Sequence, residues 1–164
     1  MRWSVRPHSA LMPTFDRADW HYGGTFPPSQ PRENGGTHIG LFLAWAICNG
    51  LESELLRTES LHAIAAVRAR GMTGTRFLFE HCDEKLTDDM LSEEGNAFAA
   101  DYYGDAKSSP YLKEYGLAFG RVETDLYRIR DTWDNYDLIA PAITEAYETW
   151  KRRRARPWWQ FWGE

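Results

Sequence analysis

The chain is poor in cysteine. Its 164 residues hold two, Cys48 and Cys82, too few for the disulfide framework of a small secreted domain. Both are expected to be reduced thiols in a cytosolic protein. Long apolar runs are missing as well. The longest, Ile39 to Cys48, falls well short of the roughly 20 residues that cross a bilayer. The opening "MRWSVRPHSALMPTFD" has basic residues but no continuous apolar core, so no signal peptide is expected. No internal repeat is visible. No stretch alternates apolar and polar residues for long enough to demand a sheet.

Local signatures of catalysis are also lacking. In "WHYGGTFPPSQPRENGGTHIG", Trp20 to Gly40, two Gly-Gly pairs suggest a phosphate loop. A P-loop needs a Lys and a hydroxyl after its last glycine, and here Thr37 and His38 follow. No strand with a G-x-G-x-x-G turn precedes a helix. The helix start behind Gly36 can hold an anion on its free N–H groups, although simple capping by Thr37 is the preferred reading. His81 and Cys82 are neighbours and point about 100° apart on a helix, so they form no dyad. No G-x-S-x-G elbow occurs. His21, His38, His81, Cys82 and Asp83 offer ligand atoms without H-x-x-x-H or C-x-x-C spacing. The residues therefore name no catalytic set, no metal set and no cofactor.

What is present is a folding composition: 43% hydrophobic and 15% aromatic, with eight Trp. This length is expected to form one domain with a real core. Residues 1–36 read as irregular, because prolines and glycines punctuate them. A helix is expected over His38–Leu51, apolar on nearly all sides and therefore central, with Asn49-Gly50 as its stop. Further helices are expected over Glu59–Arg70, after Thr75, and in "TDDMLSEEGNAFAADYY", where Leu91, Phe98 and Tyr102 share a face. Ser109-Pro110 reads as a cap followed by Pro at the first helical position. A last helix is expected from about Asp137, with Pro141 in its first turn. "GRVETDLYRIRD" is expected to allow a short hairpin. The fold class is thus all-α: a compact single domain of about six helices around a buried apolar helix, with an irregular N-terminal arm. The expected limits are 1–19 for the arm, 20–154 for the helical domain and 155–164 for a Trp-rich tail.

Charge is uneven. Residues 151–164, "KRRRARPWWQFWGE", carry five basic groups and one acid, while the whole chain is −5. The acidic body argues against nucleic acid as partner and suits a basic protein surface. Asp83 to Glu94, "DEKLTDDMLSEE", concentrates six acids and one Lys. It reads either as a solvated helix start or as an acidic docking face. In "DTWDNYD", Trp133 and Tyr136 precede a helix and can pack inward or form a contact patch. Burial of the tail Trp residues against the domain is preferred over insertion into a partner or an anionic membrane.

"WHYGGTFP", "NGGTHIGLFLAWAICNGLES", "EHCDEKLTDDMLSEEGNAFAADYY", "YLKEYG" and "DTWDNYDLIAPAITEAYETWK" together resemble an uncharacterised family of small bacterial cytosolic proteins. The likeness runs over roughly residues 15–151. It implies no transferable activity and no catalytic residue. Such proteins resemble those encoded beside secreted toxins, which implies an immunity role. The expected function is then cytoplasmic capture of a cognate toxin with a basic surface, by occlusion of its active site. Asp83, Glu84, Asp88, Asp89, Glu93 and Glu94 would supply charge complementarity. Trp133 and Tyr136, or Trp20 and Tyr22, would supply anchors. The alternative is a small-molecule- or metal-binding protein, or an enzyme, whose pocket gathers His21, His38, His81 and Asp83. A third reading is a membrane-surface adaptor that uses the tail.

Overall fold

A computed structural model describes residues 14–22, 26–104, 108–120 and 123–155. The expectations for the tail Trp residues fall outside these.

The centre is α1 (Thr37–Cys48), buried from Thr37 through Ile47. Its all-round apolar sequence leaves no face for water, so other elements enclose it. They are α3 (Leu61–Arg68), α4 (Gly74–His81) and α7 (Trp133–Ala155). The closest approach is to α4. A methyl group added to Gly40 would lie 2.3 Å from the Thr75 nitrogen, and one added to Gly74 would lie 1.9 Å from the Gly40 carbonyl oxygen. The two backbones touch, and only glycine permits it.

An aromatic layer closes the other side. It comes from α5 (Glu93–Tyr102), α6 (Pro110–Phe119) and α7. The Phe42 ring lies 5.1 Å from Tyr103 and 5.4 Å from Tyr111. Trp45 meets Tyr147 edge to face at 5.4 Å. Its indole N–H donates to the Thr144 hydroxyl at 3.0 Å, so the buried polar atom is satisfied. The all-α expectation holds, with seven α-helices among the described residues. No helix among those residues is long and apolar enough to cross a membrane.

Several boundaries differ from expectation. The single helix expected over Glu59–Arg70 is two: α2 (Glu54–Glu59) and α3, separated at Ser60, whose φ of −127° breaks the turn. Ser53 caps α2 by accepting from the Leu56 N–H at 3.0 Å. The acidic stretch is not helical until Ser92, which caps α5 and accepts from the Gly95 N–H at 3.1 Å. Before it come a strand and a short 3-10 turn (Asp88–Met90), and Leu91 bridges Glu52. The expected hairpin is instead a 3-10 helix, Glu123–Arg128. The last helix begins at Trp133 because the Thr132 hydroxyl caps it, accepting from the Asn135 N–H at 3.2 Å. Pro141 therefore lies inside α7 rather than in its first turn.

A small sheet was not expected. β1 (Thr14–Arg17) pairs antiparallel with β2 (Lys85–Thr87), with Asp16 opposite Leu86 and Arg17 opposite Lys85. This pairing sews the start of the described chain onto the turn that follows α4.

Candidate functional site

Of the four residues of β1, Asp16 alone is buried. The strand's alternation turns this acid inward. The following 3-10 turn, Ala18–His21, folds the chain back so that His21 faces the same carboxylate. The first turn of α1 supplies His38. His21 Nε2 lies 3.0 Å from Asp16 Oδ1, and His38 Nε2 lies 3.0 Å from Oδ2. The Tyr103 hydroxyl donates to Oδ2 at 2.6 Å, and the Arg17 backbone N–H donates to Oδ1 at 2.8 Å. Behind His21, Nδ1 is 3.0 Å from the Tyr127 hydroxyl.

Asp16 thus accepts from four donors drawn from β1, the 3-10 turn, α1 and the end of α5. Burial alone would raise its pKa, but the hydrogen bonds from His21 and His38 outweigh that and hold the carboxyl far below the usual range. Burial keeps His38 below the ordinary imidazole value, against the pull of Asp16. An ionised acid facing a neutral buried imidazole is the state the geometry supports. Ligand atoms of Asp16, His21 and His38 all lie within 4.8 Å of one another, the one such set among the described residues.

The pocket of His21, His38, His81 and Asp83 considered from the sequence does not form as expected. Its first two members converge, but on Asp16. The His81 ring stacks on Phe77 at 5.0 Å, with Nδ1 3.4 Å from the Ser60 hydroxyl. Asp83 is exposed and pairs with Lys85. Both line a different feature, a groove of about 290 Å³ whose walls include Leu55, Leu56, Cys82 and Asp89.

The residues considered for partner contact fall in three places. The first surrounds the turn at Asp83 and Glu84. Trp20 is 59% exposed, and the Arg17 guanidinium lies 5.8 Å from its ring centroid. Asp19 pairs with Arg17 at 2.6 Å. The Tyr22 hydroxyl donates to Glu84 at 3.1 Å, and Arg32 lies over the Tyr22 ring at 4.5 Å. The Ala18 N–H donates to the Glu84 carbonyl at 2.9 Å. Asp83 and Glu84 both adopt positive φ, 48° and 59°. Such backbone costs energy in residues other than glycine and persists only where neighbours impose it. Thr87 donates to Asp89, which lines the groove beside this turn.

The second place lies at the start of α5. Glu93 is exposed, and Glu94 accepts from the Tyr147 hydroxyl at 2.6 Å. Asp88, before the cap, is half-buried and its carbonyl accepts from the Asn96 amide at 2.7 Å. The third is the Trp133–Tyr136 pair, 4.9 Å apart and edge to face. Tyr136 is buried within the core, while Trp133 is half-buried beneath Arg70 at 5.0 Å. Arg70 in turn pairs with Asp137 at 2.7 Å.

Sequence reasoning did not single out Asp16, Tyr103 or Tyr127. No local spacing links them to His21 and His38.

No curated protein and no solved structure matches the chain. Residues 14–129 match a family described as "Domain of unknown function (DUF7832)". That span holds β1 through the 3-10 helix at Tyr127, and with them every residue of the Asp16 cluster. The chain belongs to this family of unknown function, DUF7832.

Proposed function

We propose that the protein is a binding module of the immunity type, which captures a secreted toxin through the toxin's basic surface and covers its active site. The observation that carries this reading is the setting of Asp83. Its side chain is 86% exposed. On one side it lines the groove with Leu55, which is 52% exposed, and Leu56. On the other it lies within electrostatic reach of Asp19 and of Arg17, whose guanidinium lies over the exposed Trp20 ring. An acid rim next to an apolar floor and an accessible indole suits a basic protein surface. The carboxylates raise encounter rate and select the partner, and a buried Trp commonly dominates the binding energy. The positive-φ turn supports the same reading, because strained backbone of this kind concentrates at functional surfaces.

The occlusion would be steric. The partner's cationic substrate path meets Asp83, Asp89 and Glu59, and the groove receives one apolar side chain. The test is capture by the tagged full chain from its source cells, in parallel with Trp20→Ala and Asp83→Lys. The expected result is one stoichiometric protein, toxic when expressed alone, retained by the wild type and depleted by both variants. A partner held equally by all three, or one without toxicity, contradicts the proposal.

A further inference from the structure

Among the described residues two carboxylates are buried, Asp16 and Glu52. They are neutralised differently. Glu52 Oε1 meets Arg57 at 2.9 Å and Arg68 at 2.7 Å. Asp16 has no Lys or Arg side chain at ion-pair distance among the described residues; the nitrogens facing its carboxylate are those of His21 and His38. A buried anion without a permanent cation is costly. Hydrogen bonds from His21, His38, Tyr103 and the Arg17 N–H offset that cost in the fold, and the same imidazoles and carboxylate offer ligand atoms to a cation.

His21 Nε2 and His38 Nε2 each stand 3.0 Å from an Asp16 oxygen. Nitrogen and oxygen ligands on bonds of about 2.0–2.1 Å, set between right-angled and tetrahedral, lie roughly 3 Å apart. The two nitrogen–oxygen separations match that spacing, and a modest inward shift of the imidazoles would bring all three ligand atoms onto one ion. The two imidazole centroids are 4.6 Å apart with planes at 83°, and one potential ligand atom from each of the three side chains lies within 4.8 Å of the others. The outer contacts are those of a metal site. The nitrogen of His21 that faces away from Asp16 meets the Tyr127 hydroxyl at 3.0 Å, and Asp16 is oriented by Tyr103 at 2.6 Å and the Arg17 N–H at 2.8 Å. Such partners fix ring orientation and ligand basicity.

We propose that Asp16, His21 and His38 form a binding site for a divalent transition-metal ion, with Zn2+ the best fit, which fastens the N-terminal arm to α1. Two imidazoles and one carboxylate suit Zn2+ and its first-row neighbours. Ca2+ and Mg2+ demand all-oxygen sets. On binding, the ion takes the place of the two Nε2–H hydrogens that face the carboxylate; each imidazole stays neutral with its proton on Nδ1, from which His21 donates to Tyr127. Entry is from the His21 side, whose side chain is 19% exposed, against 9% for His38 and 7% for Asp16. A water would complete the coordination.

The test uses the full chain, purified without a histidine tag and stripped with chelator. Zn2+ alone is titrated by calorimetry, Co2+ binding is followed by its visible absorption, and Tm is read with and without Zn2+. The wild type should bind one ion per chain, show low-coordinate Co2+ bands and rise in Tm. Tyr127→Phe should weaken binding by about tenfold or more. His21→Gln and Asp16→Asn should abolish the bands and the Tm shift, while His81→Ala keeps both. Circular dichroism without metal shows whether each variant is folded. Should Asp16→Asn fail to fold, His21→Gln decides, because that side chain lies at the edge of the cluster. Absence of a Tm shift in the wild type, or Zn2+ binding of equal strength in His21→Gln, overturns the proposal.

Discussion

The Asp16 carboxylate lies 3.0 Å from His38 Nε2 and joins the described start of the chain to the first turn of its central helix. Removal of one partner leaves the others buried and unpaired. Asp16→Ala leaves the buried His38 and Tyr103 donors unpaired and should cost about 1–3 kcal/mol for each. Tyr103→Phe removes one charge-assisted bond and should cost about 1.5–3 kcal/mol. Urea midpoints measured on metal-free protein check both values.

The same cluster should make the fold acid-sensitive. His38 is held neutral in the folded chain, whereas the unfolded chain takes up a proton near pH 6.5. The unfolded state then binds more protons, so stability falls as pH drops below about 6.5. Asp16 adds a further loss. Its carboxyl is depressed in the fold, so its contribution is present above about pH 4 and disappears as pH falls through its lower folded value. Stability should fall in both windows; in Asp16→Asn the lower window should vanish, while the loss below about pH 6.5 should persist, because Asp16 raises the His38 pKa against burial.

The contact between α1 and α4 should tolerate no side chain. Gly40→Ala would bring a methyl group to 2.3 Å from backbone, and Gly74→Ala to 1.9 Å. Each should destabilise by at least about 1–3 kcal/mol. Gly116 in α6 is the contrast, since a methyl group there meets nothing within 4 Å. Gly116→Ala should stabilise by roughly 0.5–1 kcal/mol. Thermal melts of the three variants separate crowding from helix propensity.

The two thiols should differ in reactivity. Cys48 is exposed and Cys82 buried, and burial pushes the Cys82 thiol up to about 12. One thiol should react with a maleimide in native protein and two in denaturant. The unfolded chain ionises Cys82 near pH 8.5. The stability from this thiol is therefore complete below that value and is lost as pH rises toward 12.

The sequence carried the central helix openly, because "THIGLFLAWAIC" leaves no polar face. It carried α6 as well, since the Ser109 hydroxyl accepts from the Leu112 N–H at 3.1 Å and Pro110 follows it. It concealed β1 and β2, because pieces of three or four residues are too short to display a period of two. The start of α7 was misplaced because the Asp and Asn residues of "DTWDNYD" read as turn and cap formers, whereas Thr132 is the cap. His21 and His38 were visible as candidates, but Asp16 was not. Its role depends on a strand pairing with residues about seventy positions away, and only the folded chain makes that pairing. The acidic stretch was legible as charge, yet the structure divides it between the Asp83 turn and the start of α5. Local spacing holds no information on that division.

The claim that Asp83 and its neighbours form a docking face is tested most directly by charge reversal against the captured partner. Affinity and association rate are measured at low and high salt for the wild type and for Asp83→Lys with Asp89→Lys. Both acids line the groove, and Asp83 is exposed, so the fold should survive. The predicted result is wild-type association that slows as salt rises, and a variant that associates more slowly with little salt dependence. Equal affinity and an unchanged salt dependence in the folded variant would contradict the account.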